Sequence, residues 1–269
     1  MIRSFGLVIV MAIAGLFGFA QYVRRSSMFF PDRFPLGDWD TSSLPVKPEE
    51  HYIEADGVRL HAWLFRAGAG GAPLLVFCHG NAGNITGRAS LAAQLALRGV
   101  SVLLFDWRGY GKSTGRPNED ALFRDALAAY DFADKKIGAK QIVMYGESLG
   151  GPYAAYVATK RRVPAVVIEN SFPSLRQLGN YLYRPFPLGW TAPFALTTSK
   201  WLNEAGVPVL VMHGRLDEVI PYSLGKRLYD DLRVPKQFLS SDSAGHCELA
   251  STEGERYYNA ITEFITRYH

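Results

Sequence analysis

The sequence predicts an α/β fold: a mostly parallel, eight-stranded sheet with helices on both faces. Three observations carry this. Short apolar runs suited to buried strands alternate with stretches of helical spacing, the pattern of parallel strands joined by helical crossovers. A Gly-x-Ser-x-Gly sequence, residues 146–150, sits where one such run passes into a small-residue helix. An aspartate and a histidine follow, each near the end of a later predicted strand.

In chain order, Tyr52–Ala55 and Arg59–Phe65 form an antiparallel hairpin, turned by Asp56-Gly57, a favoured tight-turn pair. Leu74–Cys78 is a central strand. Ile85–Arg98 is helical and stops at Gly99. Val102–Phe105 is a strand, and Pro117–Lys136 is a helix with Leu122, Ala126, Ala129 and Phe132 near helical spacing. The strand Gln141–Tyr145 leads into the serine turn and its helix, and Ala165–Ile168 is the next strand. An insertion follows, then the strand Val209–Met212, the helix Ser223–Leu232, the strand Gln237–Leu239 and a last helix, Glu253–Thr266. No repeat or low-complexity segment interrupts the series.

The chemistry concentrates at the ends of predicted strands. In Gly146-Glu147-Ser148-Leu149-Gly150 the glycines allow neighbouring backbones to pass closely, and the tight turn lifts the serine hydroxyl above the sheet. Serine alone is a poor nucleophile and needs a base, itself oriented by a third group. His246, in Ala244-Gly245-His246-Cys247, and Asp217, in His213-Gly214-Arg215-Leu216-Asp217, supply both. The alternative for the serine turn is a tight turn that merely needs glycine. Glu169, which follows a strand, and Glu218, beside Asp217, are rivals for the acid. The loop His79-Gly80-Asn81-Ala82-Gly83-Asn84 can expose backbone N–H groups. With the N–H of Leu149, that of Asn81 (or Ala82) would hold a developing oxyanion. His79 reads as an organiser of this loop. Arg108 reads as structural or as a substrate contact, and Glu147 as pointing away from the active face.

These motifs, together with Asp106-Trp107-Arg108-Gly109-Tyr110-Gly111-Lys112-Ser113, resemble the α/β-hydrolase superfamily over residues 50–269. Within it they look like the Bem46/ABHD13/ABHD17-like branch, similar by profile to serine aminopeptidase-type hydrolases. The resemblance implies an α/β-hydrolase fold, catalytic Ser148, Asp217 and His246, and no metal or organic cofactor. It implies hydrolysis of carboxylic ester or thioester bonds in lipid or acylated-protein substrates. A serine peptidase would use the same triad but needs donors for a peptide amino end. A non-catalytic lipid-binding or scaffold protein would have lost at least one triad residue.

A chain of 269 residues suits one such domain plus a short appendage. Residues 51–269 form the expected domain, with 24–50 as a linker, rich in Pro, Asp and Ser, that packs on it. A net charge of +4 is small for this length and argues against nucleic-acid binding. Two cysteines, Cys78 and Cys247, suggest neither a disulfide scaffold nor a zinc site. Oligomeric state leaves no mark on the sequence.

Residues 1–23 carry the second strong signal. Phe5 to Val23 is an uncharged apolar run of about 19 residues, or about 28 Å as a helix, close to the thickness of a hydrocarbon core. Arg3 flanks one end and Arg24 and Arg25 the other. It reads as a single-pass N-terminal membrane anchor. The alternatives are a signal peptide cleaved near Gly18-Phe19-Ala20, giving a secreted or periplasmic protein, and a buried core helix. The membrane side is open, with the positive flanks tipping slightly toward a cytoplasmic domain.

The insertion at about 172–203 is rich in aromatics, including Phe172, Tyr181, Tyr183 and Trp201, and is punctuated by prolines. It reads as a short lid walling an apolar acyl pocket, or as a long loop packed on the core.

Overall fold

The structure, a computed structural model, describes residues 28–68, 70–185 and 196–268. The predicted anchor at 1–23 and the middle of the predicted lid, 186–195, lie outside the described residues. Among the described residues no helix is long and apolar enough to cross a membrane.

Ten strands are described: β1 (Phe30–Pro31), β2 (Glu49–Ala55), β3 (Val58–Phe65), β4 (Leu74–Cys78), β5 (Ala82–Gly83), β6 (Ser101–Phe105), β7 (Ile142–Glu147), β8 (Val166–Glu169), β9 (Val209–Gly214) and β10 (Lys236–Ser241). Eight of them make one sheet in the order β10-β9-β8-β7-β4-β6-β3-β2. The hairpin β2–β3 is antiparallel and β3 meets β6 antiparallel. All other neighbours in this sheet run parallel. The helices are α1 (Ala89–Leu97), α2 (Glu119–Phe132), α3 (Gly150–Lys160), α4 (Leu175–Leu182), α5 (Thr198–Ala205), α6 (Tyr222–Asp231), α7 (Leu249–Glu253) and α8 (Glu255–Tyr268).

Side chains alternate across each central strand, so one sheet builds two cores. Val76, Ile142, Met144 and Ile168 face a core completed by Leu122 and Ala126 of α2, Tyr153 and Val157 of α3, and Leu228 of α6. Leu75, Phe77, Val143, Tyr145 and Val167 face the opposite core, completed by Ala92 and Ala96 of α1 and Ile261 and Phe264 of α8. Burial on both faces is why these strands read as unbroken apolar runs.

The strand order also places the site. From β4 the chain crosses by α1 to β6, then returns past β4 to β7. The loops after β4 and β7 therefore leave adjacent strands, whose last paired residues are Cys78 and Gly146. A crevice at such a reversal, beyond the carboxyl ends of the strands, is where open α/β sheets bind ligands.

Several boundaries differ from expectation for local reasons. The helix expected from Ile85 opens as a tight 3-10 turn, Ile85–Arg88, because Asn84 caps it by accepting from the Thr86 N–H. The helix expected over 117–136 starts after Asn118, whose side chain accepts from the Ala121 N–H. It ends in a wider π turn, Ala133–Ile137, closed by Gly138 at φ 73°. The stretch read as a linker packing on the domain meets it through a short strand and loop hydrogen bonds. Phe30–Pro31 pairs with Ala82–Gly83, and β2 begins at Glu49. Within the predicted lid, Phe172 is buried in the core and Trp201 packs its ring against Phe123 and Tyr156 at 5.5 and 5.4 Å. Those two aromatics serve the core.

Candidate active site

Ser148 lies immediately after β7 with φ at 52°, a left-handed conformation that L-residues adopt at a cost of about 1–2 kcal/mol. The surrounding structure holds it there. Its N–H donates to the Glu169 carbonyl at 2.8 Å, and its own carbonyl accepts from Ser171 Oγ at 2.8 Å. The flanking glycines have no substitute. A Cβ on Gly146 would come within 2.5 Å of the Gly151 Cα, and one on Gly150 within 1.9 Å of the Cys78 carbonyl oxygen.

The structure brings Ser148, His246 and Asp217 together from three strand ends. His246 Nε2 is 3.1 Å from Ser148 Oγ, and its Nδ1 is 2.8 Å from Asp217 Oδ2. With Nδ1–H turned to the carboxylate, Nε2 is free to accept the serine proton. Asp217 sits just past β9, its side chain fully buried. Its Oδ1 accepts from the Val219 and Ile220 N–H groups at 2.9 and 2.8 Å. Its Oδ2 also accepts from Asn170 Nδ2 at 2.6 Å and lies 3.3 Å from His213 Nε2. Burial alone would raise this carboxyl, but the hydrogen bonds from His213, His246 and Asn170 outweigh it and hold Asp217 well below the usual carboxylate range.

The loop after β4 passes beside the serine turn. Asn81 presents its carbonyl to two donors, the Phe30 N–H at 2.8 Å and the Tyr110 hydroxyl at 2.7 Å. Its side-chain amide donates to the Met28 carbonyl at 3.3 Å. Both the carbonyl and the side chain thus have partners other than Ser148. Leu149 opens α3 with no side-chain cap, so its N–H belongs to the unpartnered first turn of a helix. His79 is buried, donates from Nδ1 to the Gly80 carbonyl at 2.8 Å, and meets the Trp107 and Tyr110 rings at tilted and edge-on angles. Burial, reinforced by the Arg88 charge, pushes its pKa down to about 3, so it stays neutral and organises the loop.

Beneath the loop is a buried ion pair. Arg88 Nη2 lies 2.5 Å from Glu147 Oε1, and the same carboxylate accepts from the Gly80 N–H at 3.1 Å. Arg88 Nη1 also donates to the Ala82 and Asn84 carbonyls at 3.3 and 3.4 Å. Glu147 is thus committed to Arg88 and the Gly80 N–H and braces the loop. Next to it in register stands Glu169 of β8. Glu169 accepts from the Tyr145 and Tyr257 hydroxyls, and burial plus the Glu147 charge push its pKa up to about 7. Its side chain belongs to this tyrosine cluster, and His246 turns to Asp217 instead. Glu218 is exposed. Arg108 is committed to the buried carboxylate of Asp125, with Nη2 at 2.6 Å and Nε at 3.0 Å. Among the described residues no cluster of His, Cys, Asp or Glu is arranged to hold a metal ion.

Sequence reasoning missed Asn170, Ser171, His213 and Tyr110. Asn170 and Ser171 directly follow β8 and meet Asp217 and Ser148. Two polar residues just past the carboxyl end of a central strand were the available signal. For Tyr110 and His213, whose Nε2 also meets the Ile220 carbonyl at 2.8 Å, the pairing depends on tertiary contacts with no local sequence mark.

Known proteins agree with this architecture. The α/β-hydrolase fold family model matches residues 73–190. An uncharacterised protein of Mycobacterium tuberculosis is 32% identical over 262 residues, covering 96% of this chain and 93% of the relative. The α/β-hydrolase domain-containing protein WAV2 of Arabidopsis thaliana is 30% identical over 300 residues, covering 98% of this chain and 93% of the relative. Lysophosphatidylserine lipase ABHD12 of Danio rerio is 30% identical over 242 residues, covering 82% of this chain and 62% of that protein. Among solved structures, an esterase of Pyrococcus furiosus superposes with a TM-score of 0.73 at 20% identity, covering 90% of this chain and 97% of the esterase. The chain belongs to the α/β-hydrolase family, with lipase and esterase proteins among its relatives and structural neighbours.

Proposed function

We propose that this protein is a membrane-associated serine hydrolase that cleaves carboxylic ester or thioester bonds of acyl substrates. One observation carries the reading: the hydrogen-bonded series Asp217–His246–Ser148 ends on a serine held in a left-handed turn just after β7. His246 Nε2 takes the proton of Ser148 as Oγ attacks the acyl carbon. The negative charge gathers on the carbonyl oxygen, where the N–H groups of Asn81 and Leu149 receive it. Such a donor is typically worth about 3 kcal/mol in the transition state. His246 then protonates the departing alkoxide or thiolate. Water, deprotonated by the same imidazole, attacks the acyl-serine, and the acid leaves as the proton returns to Ser148. Asp217 keeps Nδ1 protonated throughout and stabilises the imidazolium.

The apolar run Phe5–Val23 supports a membrane anchor, which would raise the local concentration of lipid esters and S-acylated proteins around the site. A relative named for lysophosphatidylserine lipase activity favours an amphiphilic ester.

Fluorophosphonate labelling tests the reading. Wild type should label, and Ser148→Ala and His246→Ala should not. A series of p-nitrophenyl esters of rising chain length then sizes the acyl site. A folded wild type that takes no label would overturn the proposal and bring a binding role forward.

A further inference from the structure

Among the described residues, most of the large exposed apolar side chains gather at one edge, with Leu97 and Tyr52 lying elsewhere. Phe30, Phe34, Leu36, Leu182, Leu216 and Val219 are each between 52% and 59% exposed. All six lie on segments at the carboxyl edge of the sheet. Phe30 pairs beside Ala82, after β4. The Phe34 N–H donates to the Gly111 carbonyl at 3.0 Å, after β6, and the Leu36 carbonyl accepts from Asn84 Nδ2 at 2.8 Å. Leu182 ends α4, in the excursion that follows β8. Leu216 and Val219 flank Asp217, after β9. The edge that carries Ser148 is thus rimmed by large apolar groups that no described residue covers. Isolated exposed leucines are ordinary, but a group of this kind around one crevice marks an interaction surface.

The chain itself identifies the occupant. The apolar run ends at Val23, and Met28 already accepts a hydrogen bond from Asn81 at 3.3 Å. Five residues fully extended reach at most about 17 Å. A bilayer that holds residues 5–23 therefore lies within that distance of the loop beside Ser148. Because the connecting segment enters the domain at the rim, the rim is the part of the domain brought to the membrane.

We infer that the carboxyl-edge rim docks on the bilayer that holds the N-terminal segment, with these apolar side chains entering its interfacial layer. Ser148 then faces the lipid surface, and an acyl ester or thioester reaches it from the membrane without crossing bulk water. This rests on the anchored-hydrolase reading above and specifies how that enzyme meets its substrate.

The test uses the full chain with Cys247→Ser, reconstituted in phosphatidylcholine vesicles whose acyl chains carry bromine. An environment-sensitive thiol dye is placed by Phe34→Cys, Leu182→Cys or Leu216→Cys. Leu97→Cys serves as control, because Leu97 is 56% exposed at the end of α1, away from the rim. Rim dyes should shift to the blue and lose emission to the brominated lipid, and the control should do neither. Flotation of the same samples separates the two readings. Protein that does not float with the vesicles refutes the anchor and the docking together. Protein that floats with unquenched rim dyes refutes the docking and leaves the anchor standing. As a second readout, Phe34→Ser/Leu182→Ser/Leu216→Ser should lower turnover of a vesicle-borne long-chain ester by about tenfold or more. The same variant should keep its turnover of a water-soluble butyrate ester. Equal turnover of the two esters, relative to wild type, would overturn the proposal.

Discussion

Removing the cation from the Arg88–Glu147 pair should cost far more than removing the pair. The Glu147 carboxylate is 4% exposed and lies 2.5 Å from the guanidinium, whose Nε adds contacts at 3.2 and 3.3 Å. Arg88→Met leaves that carboxylate buried with only the Gly80 N–H, at 3.1 Å, to solvate it. Breaking one side of a buried pair typically destabilises by about 3–5 kcal/mol. For a chain of this size that is a fall in Tm of roughly 10 °C. Arg88→Met/Glu147→Gln keeps the acceptor for Gly80 and removes the stranded charge, so about half of the loss should return. The pH dependence adds a sign. In wild type, burial would raise the Glu147 carboxyl, but Arg88 outweighs it and holds the pKa below its ordinary value. Its contribution is therefore present above the unfolded pKa and fades as pH falls through the lower folded one. In Arg88→Met the folded pKa rises instead, so the deficit against wild type should shrink as pH is lowered from about 8 to about 5. Thermal and urea denaturation of the full chain in detergent, across that range, measures all three. A single-variant loss under about 1 kcal/mol, or an additive double-mutant cycle, would refute the reasoning.

Other outcomes follow from the same geometry. Asp217→Asn should keep the fold and lower kcat by about 10³–10⁴, since the amide no longer selects the Nδ1–H tautomer of His246; steady-state kinetics with a folded-state check decides it. Tyr110→Phe removes one of two donors to the Asn81 carbonyl, so kcat should fall while KM stays near wild type, and a matched rise in KM would contradict a role in placing the Asn81 N–H. Glu169 has its folded pKa raised from 4.5 to about 7. It should make the protein lose stability as pH rises between those values, by about 3 kcal/mol in total. Glu169→Gln should flatten that slope in urea titrations, and an unchanged slope would count against it.

The layered sheet was legible because its central strands are buried on both faces and so appear as unbroken apolar runs between helical stretches. Ser148 was legible because its turn needs glycine at 146 and 150 on steric grounds that leave a local pattern. The braces around it were not. Glu147 and Arg88 stand 59 positions apart, and Tyr110 and Asn81 stand 29 apart. Partners at such separations meet only through strand order, which no local spacing encodes. The helix starts shifted because Asn84 and Asn118 compete for backbone N–H groups, a side-chain effect that apolar periodicity ignores. Residues 28–37 read as linker because they form only a two-residue strand, and their hydrogen bonds go to loops distant in sequence.

The separation between Ser148 and His246 has a consequence for how the protein is made. The serine precedes its histidine by 98 positions, and β10 and α8, near the end of the chain, complete one side of the sheet and one of its cores. A ribosome adds about 5–20 residues per second, so the serine turn waits roughly 5–20 s for its base to be synthesised. The N-terminal apolar run emerges long before either. On the anchored-hydrolase reading proposed above, a nascent chain could reach a membrane before its serine has a base, and the triad would be complete only when nearly all of the chain has been translated.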